Sequence, residues 1–313
     1  MEKRIVTVMP VYKERIWGGH KIKADFNGQT DIEPCGEMWV VAALKGNGDN
    51  YLPELDMSLS NAFEMYPNWF NCNTYHLPFR CTIIDPIADL SVQVHPDDEY
   101  AHRIENSAGK PEAWYIMDVG QGGKIQFGHN AKSKEELKDL IYSNQWDRLL
   151  NYVDAKAGEF LFVPAGGVHA IGKNVLSFEI SRSADITYRL YDYDRLDKKT
   201  GKKRDLHVEK SIDVISVPHQ GKGPYKPIEK SVNGLLVSEF IDEPGMFTLH
   251  KLLCQQQGTY QFSRFYFITV VKGSGTISEF KVQAGTTLLV PADFGPIHIT
   301  GQLEAICSSY RYQ

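Results

Sequence analysis

Four side chains between residues 93 and 169 have the chemistry to hold a divalent ion. Gln93 and His95 stand one residue apart in Ser91-Val92-Gln93-Val94-His95-Pro96-Asp97-Asp98. On a strand, that spacing sends both side chains out of the same face. Glu112 follows in Gly109-Lys110-Pro111-Glu112, and His169 in Pro164-Ala165-Gly166-Gly167-Val168-His169. Two imidazoles, a carboxylate and an amide oxygen suit a borderline divalent ion, most simply zinc. The spacing does not separate zinc from manganese or iron, because mixed N/O sets hold all three. The competing reading is a hydrogen-bonded core histidine and a surface carboxylate.

The elements that must position these groups are mostly strands. Residues 77–94 have strand character, interrupted at Pro86, and a short helix is expected after Pro96. Residues 113–119 read as a strand that turns at Gly120-Gln121-Gly122-Gly123 into a partner at 124–128. Ser133 with Glu136 three residues later makes a capping-box pattern, and Leu137, Leu140, Ile141, Trp146, Leu149 and Leu150 form an apolar stripe. A helical insertion near 133–150 is therefore expected between strands. Strands are also expected at 4–11, 37–42, 160–163, 175–180 and 186–190, with a polar loop over 192–206. Three prolines and two glycines between Pro218 and Pro227 read as a linker. From Leu235 onward, short strands and glycine turns give an all-β pattern.

The tail echoes the centre. Ala157-Gly158-x5-Pro164 matches Ala284-Gly285-x5-Pro291 at an offset of 127 residues. A strand and glycine hairpin precede each, with Gly120 and Gly122 in the first copy and Gly273 and Gly275 in the second. This order predicts a duplicated β-barrel. The second copy has Phe265 eight residues before Gly273, where Glu112 precedes Gly120 by the same interval. It also lacks a Gln-x-His, so His250 and His298 read as structural and one metal centre per chain is expected.

Composition narrows the class. The 313 residues carry a formal net charge of −5, with 42% hydrophobic and 23% charged residues. No basic block points to nucleic acid, and no apolar run approaches a membrane span. Lys198, Lys199, Lys202, Lys203 and Arg204 form a short basic run, which reads first as a solvated loop and second as a phosphate contact. Five cysteines without a Cys-x-x-Cys pair fit a reducing cytoplasm, and the N-terminus shows no signal segment. A monomer is the simpler expectation.

Gly158-x5-Pro164-x-Gly166-x2-His169 resembles the second conserved motif of cupins. More specifically, Trp17-Gly18-Gly19, residues 89–98, Gly109-Lys110-Pro111-Glu112-Ala113-Trp114-Tyr115, the Val163–Ala170 segment and residues 185–195 resemble type I mannose-6-phosphate isomerases, especially the short bacterial form. The resemblance implies a mainly β fold of two cupin (jelly-roll) β-barrels. A catalytic region would span 1–217 and a non-catalytic barrel 228–313. It implies one Zn2+ per chain, held by Gln93, His95, Glu112 and His169. The activity implied is aldose–ketose isomerisation between mannose 6-phosphate and fructose 6-phosphate. Arg189 and Lys110 match catalytic positions, and Arg195 and Trp17 substrate-binding ones. The sequence departs from the pattern at Thr82, where relatives carry a lysine, and at Ser181-Arg182-Ser183-Ala184. These changes bear on substrate preference, so a related phosphosugar is the alternative substrate. A non-catalytic sugar-binding cupin is the alternative function.

Overall fold

The computed structural model describes residues 2–72, 74–197, 199–220 and 223–312. Lys198, one of the cations in the basic run, lies outside them. The chain divides into two compact units. One comprises Glu14–Gly19 and Ile84–Tyr225, and the other Met1–Lys13, His20–Ile83 and Lys226–Gln313. Among the described residues, no helix is long and apolar enough to cross a membrane.

The unit containing the predicted metal ligands is built from two groups of strands. Glu112–Val119 lies between Phe160–Val163 and Val175–Arg182, antiparallel to both. A five-stranded sheet has the order Leu150–Asp154, Lys124–His129, His169–Ile171, Val92–Val94, Tyr188–Tyr191. Period-two alternation sorts its faces. Val92, Val94, Val168, Ala170, Tyr188 and Leu190 are buried with Leu137, Leu140, Ile141 and Leu149 of the helical insertion. Ile125, Phe127 and Ile171, of opposite parity, are buried with Trp114, Ile116, Leu161 and Val163 of the first group. The insertion thus covers the sheet's outer face, while the inner face meets the other strands. Gln93, His169 and Arg189 share the inner parity.

Two details differ from expectation. The strands form sheets with open edges and no closed barrel among the described residues. The inner apolar cluster closes the fold in the manner of a double-sheet jelly roll. The insertion is two helices, Lys134–Tyr142 and Trp146–Leu149, after which Leu150 enters a strand. Ser133 caps the first helix by accepting from the Glu136 amide at 3.2 Å. Ser143 bonds back to the Asp139 carbonyl and Asn144 takes a positive φ of 54°. Both choices compete with helical continuation.

The other unit holds a nine-stranded sheet of tail strands, edged by Val6–Thr7, which pairs antiparallel with Leu288–Leu289. The repeat is present but shifted in detail. Gly158 and Gly285 both turn with positive φ ahead of the equivalent strands Phe160–Val163 and Thr287–Val290. Gly273 and Gly275, however, lie inside the twelve-residue strand Tyr266–Ile277, which turns later, at 278–279. Tyr266 sits opposite Val290 as Glu112 sits opposite Val163. The counterpart of Glu112 is therefore Tyr266, one residue beyond the Phe265 read from spacing. Within the 218–227 segment, Tyr225 pairs with Phe160 and His219 stacks edge-on to Phe127.

Candidate metal centre

Strand register builds the site. His169 lies directly across from Gln93, and Gln93 directly across from Arg189. Directly opposed residues present side chains on one face within about 5 Å of each other. His95 follows two residues after Gln93. Its carbonyl accepts from the Gly166 amide at 2.8 Å, which ties the turn before His169 to the end of this strand. Gly166 has φ +78°, and a Cβ there would fall 2.3 Å from the Ser216 hydroxyl. Only glycine fits that turn. Glu112 comes from the facing strands. Its approach is set at Gly109, where a Cβ would lie 2.5 Å from the Asp97 carbonyl carbon. The Asp98 carboxylate accepts from the Gly109 amide at 2.9 Å and from Arg182 at 2.5 Å. Arg182 is thereby committed to holding this segment.

The histidines converge on the carboxylate. His95 Nε2 is 3.1 Å from Glu112 Oε2, and His169 Nε2 is 3.2 Å from Glu112 Oε1. All three ligand atoms lie within 4.8 Å of one another. Each imidazole donates from Nδ1, His95 to the Ile186 carbonyl at 2.7 Å and His169 to the Gly167 carbonyl at 2.8 Å. Those bonds place the proton on Nδ1 and leave the Nε2 lone pairs facing inward. His169 Nε2 is buried without a hydrogen-bond partner. A buried orphan acceptor is costly in a native structure and asks for a ligand. Tetrahedral zinc with bonds of about 2 Å needs donors roughly 3.3 Å apart. The set fits a divalent ion.

The electrostatics agree. Burial, then the Lys110 charge, lowers the His95 pKa to about 4, so its imidazole is neutral at pH 7. Burial opposes the Glu112 charge, yet the Lys110 cation beside it outweighs burial and holds its pKa well below the usual carboxylate range. Lys110 is 5% exposed and places Nζ 2.9 Å from Glu112 Oε2 and 3.3 Å from His95 Nε2. Trp114 donates to Glu112 Oε1 at 3.1 Å. Trp17 is buried in the same apolar cluster as Trp114.

Beyond the ligands lies a cationic group that sequence reading resolved only in part. Asp192, itself buried, accepts from Arg204 at 2.6 and 2.8 Å and from Arg195 at 2.5 Å. Burial opposes the Asp192 charge, but the two arginines outweigh it and its pKa is lowered. Arg195 also donates to the Asp89 carbonyl and lies 5.1 Å from the Tyr193 ring. Arg189 donates to the Asp205 carbonyl at 2.7 Å. Its pKa is lowered by burial and by the charges of Arg204 and Arg195. Arg204 stood in the sequence only as the end of a basic run. Its alignment on Asp192 joins positions 12 apart through a loop and has no periodic signal.

A second grouping, Glu239, Asp242 and His250, lies in the other unit. Here Asp242 is held by Arg264 at 2.9 and 3.0 Å and faces Arg311, while Glu239 faces Lys230 at 3.6 Å. Those three cations oppose a further one. A cavity of about 850 Å3 among Gly234, Gln256, Lys272, Gln302 and Glu304 contains none of the predicted site residues.

Comparison with known proteins gives a consistent result. Residues 5–118 match the family described as phosphomannose isomerase type I, catalytic domain. The mannose-6-phosphate isomerase ManA of Bacillus subtilis (strain 168) is 39% identical, over 96% of this chain and 96% of its own. The crystal structure of a mannose 6-phosphate isomerase from Bacillus subtilis superposes with a TM-score of 0.92 at 32% identity, covering 98% of this chain and 99% of that one. A zinc-bound mannose 6-phosphate isomerase shares the fold, with a TM-score of 0.79 at 13% identity over 98% of this chain and 99% of that one.

Proposed function

Because the chain belongs to the type I mannose-6-phosphate isomerase family of enzymes, we propose that it interconverts mannose 6-phosphate and fructose 6-phosphate through an enediol(ate). The observation that carries this reading is the pair of inward Nε2 lone pairs meeting a buried carboxylate beside Lys110, with Arg189 opposite Gln93 on the neighbouring strand. We assign one Zn2+ per chain to His95, His169 and Glu112, with Gln93 as the fourth donor. When bound, the ion supplies Lewis-acid polarisation of the sugar oxygens.

The reaction moves the C2 proton of the aldose to C1 and a proton from O2 to O1. Lys110 Nζ, pressed among the ligand atoms, is the group assigned to proton traffic. In this role it would take the proton from C2 and return it to C1. Arg189 stays protonated and cannot be that base. It instead stabilises the negative charge that develops on the enediolate oxygen. Arg195, aligned beside Arg204 by Asp192, offers a donor fork to the phosphate. Trp17, being buried, shapes the wall behind Trp114 and Glu112 in this reading. A monomeric cytoplasmic enzyme with a phosphorylated hexose substrate completes the proposal.

One feature favours a second substrate. Thr82, at the position of the usual lysine, is buried with its hydroxyl unpartnered, so a related phosphosugar is the alternative. Bound-metal identification beside a coupled isomerisation assay tests the reading, with a panel of phosphorylated and free aldoses to rank substrates. Arg189→Ala should keep its zinc and lose turnover by 100-fold or more. Wild-type protein that carries zinc but isomerises no sugar phosphate would overturn the function. Full turnover in Arg189→Ala would overturn the role of that residue.

A further inference from the structure

Arg189 lies on the outermost strand of the five-stranded sheet, Tyr188–Tyr191. The outward backbone groups of such a strand need partners from elsewhere. At Arg189 one residue supplies both. The Arg189 amide donates to His207 Nδ1 at 3.1 Å, and the His207 amide donates to the Arg189 carbonyl at 2.8 Å. The Asp205 carbonyl, two residues earlier, receives the guanidinium at 2.7 Å. The segment 205–207 therefore grips Arg189 at three points. Because the amide and carbonyl of Arg189 both point to His207, they point away from Gln93. Residues opposed in that manner form the closer kind of antiparallel pair, with side chains nearest each other.

We propose that His207 is a positioning residue for Arg189, fixing the guanidinium against the Gln93 end of the metal site through a neutral imidazole. The inference rests on the isomerase reading and on the part given there to Arg189. Nδ1 must be unprotonated to accept the amide, so the ring carries its proton on Nε2. Burial, then Arg189 and Lys210, lower the His207 pKa, while Asp205 and Glu105 act in the opposite sense. The Tyr188 ring packs against it at 6.2 Å. Protonation in acid would remove the acceptor and set two donors facing each other.

Asparagine places an amide oxygen near the position of Nδ1 and does not titrate. The test compares zinc-loaded wild type, His207→Ala, His207→Asn and Arg189→Ala by kcat, KM and the pH dependence of kcat between pH 5 and 8. His207→Ala should lower kcat about tenfold with KM changed less than about threefold. His207→Asn should restore kcat to within about threefold of wild type and lack the component of the acid limb that His207 contributes. Zinc content should be equal in all four. If His207→Ala keeps wild-type kcat and pH profile, the proposal is wrong. If His207→Ala fails to fold by circular dichroism, the asparagine variant decides, and low kcat with an unchanged acid limb overturns the proposal. An inactive wild type or an active Arg189→Ala would also remove it, and either is recognised separately because it appears without any change at His207.

Discussion

Replacing His169 with alanine separates metal binding from folding. In the metal-free protein the side chain has two opposing effects. Its packing contributes about 2 kcal/mol, and its Nδ1 bond to the Gly167 carbonyl contributes about 1 kcal/mol. Against these, its buried and unpartnered Nε2 costs about 1–3 kcal/mol. The net change in metal-free stability should thus be only about 1 kcal/mol. Zinc changes the balance, because an ion that binds only the folded state adds about 4 kcal/mol at 1,000 times its Kd. At about 2–4 °C per kcal/mol, wild type should melt roughly 8–16 °C higher with zinc than with chelator. In His169→Ala most of that difference should vanish, while the chelated melting temperatures of the two proteins stay within a few degrees. Scanning calorimetry with and without EDTA, beside zinc determination by mass spectrometry, reads both quantities. A wild type indifferent to chelator, or an alanine variant that keeps its zinc and its shift, would refute the reasoning.

Two further outcomes follow from the electrostatics. His95 titrates near 4 in the folded metal-free chain and near 6.5 when unfolded, so the unfolded state binds more protons between those values. Stability from this group is therefore whole above pH 6.5 and falls by about 3 kcal/mol as pH drops towards 4. Urea midpoints of chelated protein should show the fall, and His95→Ala should lack it. Asp192→Ala leaves Arg195 and Arg204 adjacent without their shared carboxylate. Both arginines keep partial exposure, which weakens the penalty. A loss of about 2 kcal/mol is expected, with zinc content unchanged and KM for the sugar phosphate raised about tenfold. Denaturation and steady-state kinetics would check this, and an unchanged KM would remove Asp192 from the phosphate end.

The polar groups proposed as ligands were legible because alternation is local. Gln93 is polar between buried Val92 and Val94, His169 stands between buried Val168 and Ala170, and Arg189 between Tyr188 and Leu190. Each places a polar group on the inner face of a strand that is otherwise apolar outside. The cap at Ser133 was equally local. What escaped was set by contacts distant in sequence. Nothing near Arg204 announces Asp192 as its partner, and nothing near His207 announces the backbone of Arg189. Spacing counted along the tail also missed Tyr266 as the counterpart of Glu112. The reason is that Gly273 and Gly275 continue the strand instead of turning it, so counting back from the glycine assumed a hairpin that forms later.

The pairing of Val6–Thr7 with Leu288–Leu289 has a consequence for biosynthesis. The first strand made must wait for a partner about 280 residues downstream, roughly 15–55 s at ribosomal rates. Ile84–Tyr225, which holds the candidate metal ligands, is one uninterrupted stretch apart from Glu14–Gly19. It emerges whole while the sheet around Val6–Thr7 is still incomplete. Ribosome-bound chains halted about 40 residues past Tyr225, enough to clear the exit tunnel, should therefore protect the segment bearing the candidate ligands from protease and leave the early strands open to cleavage.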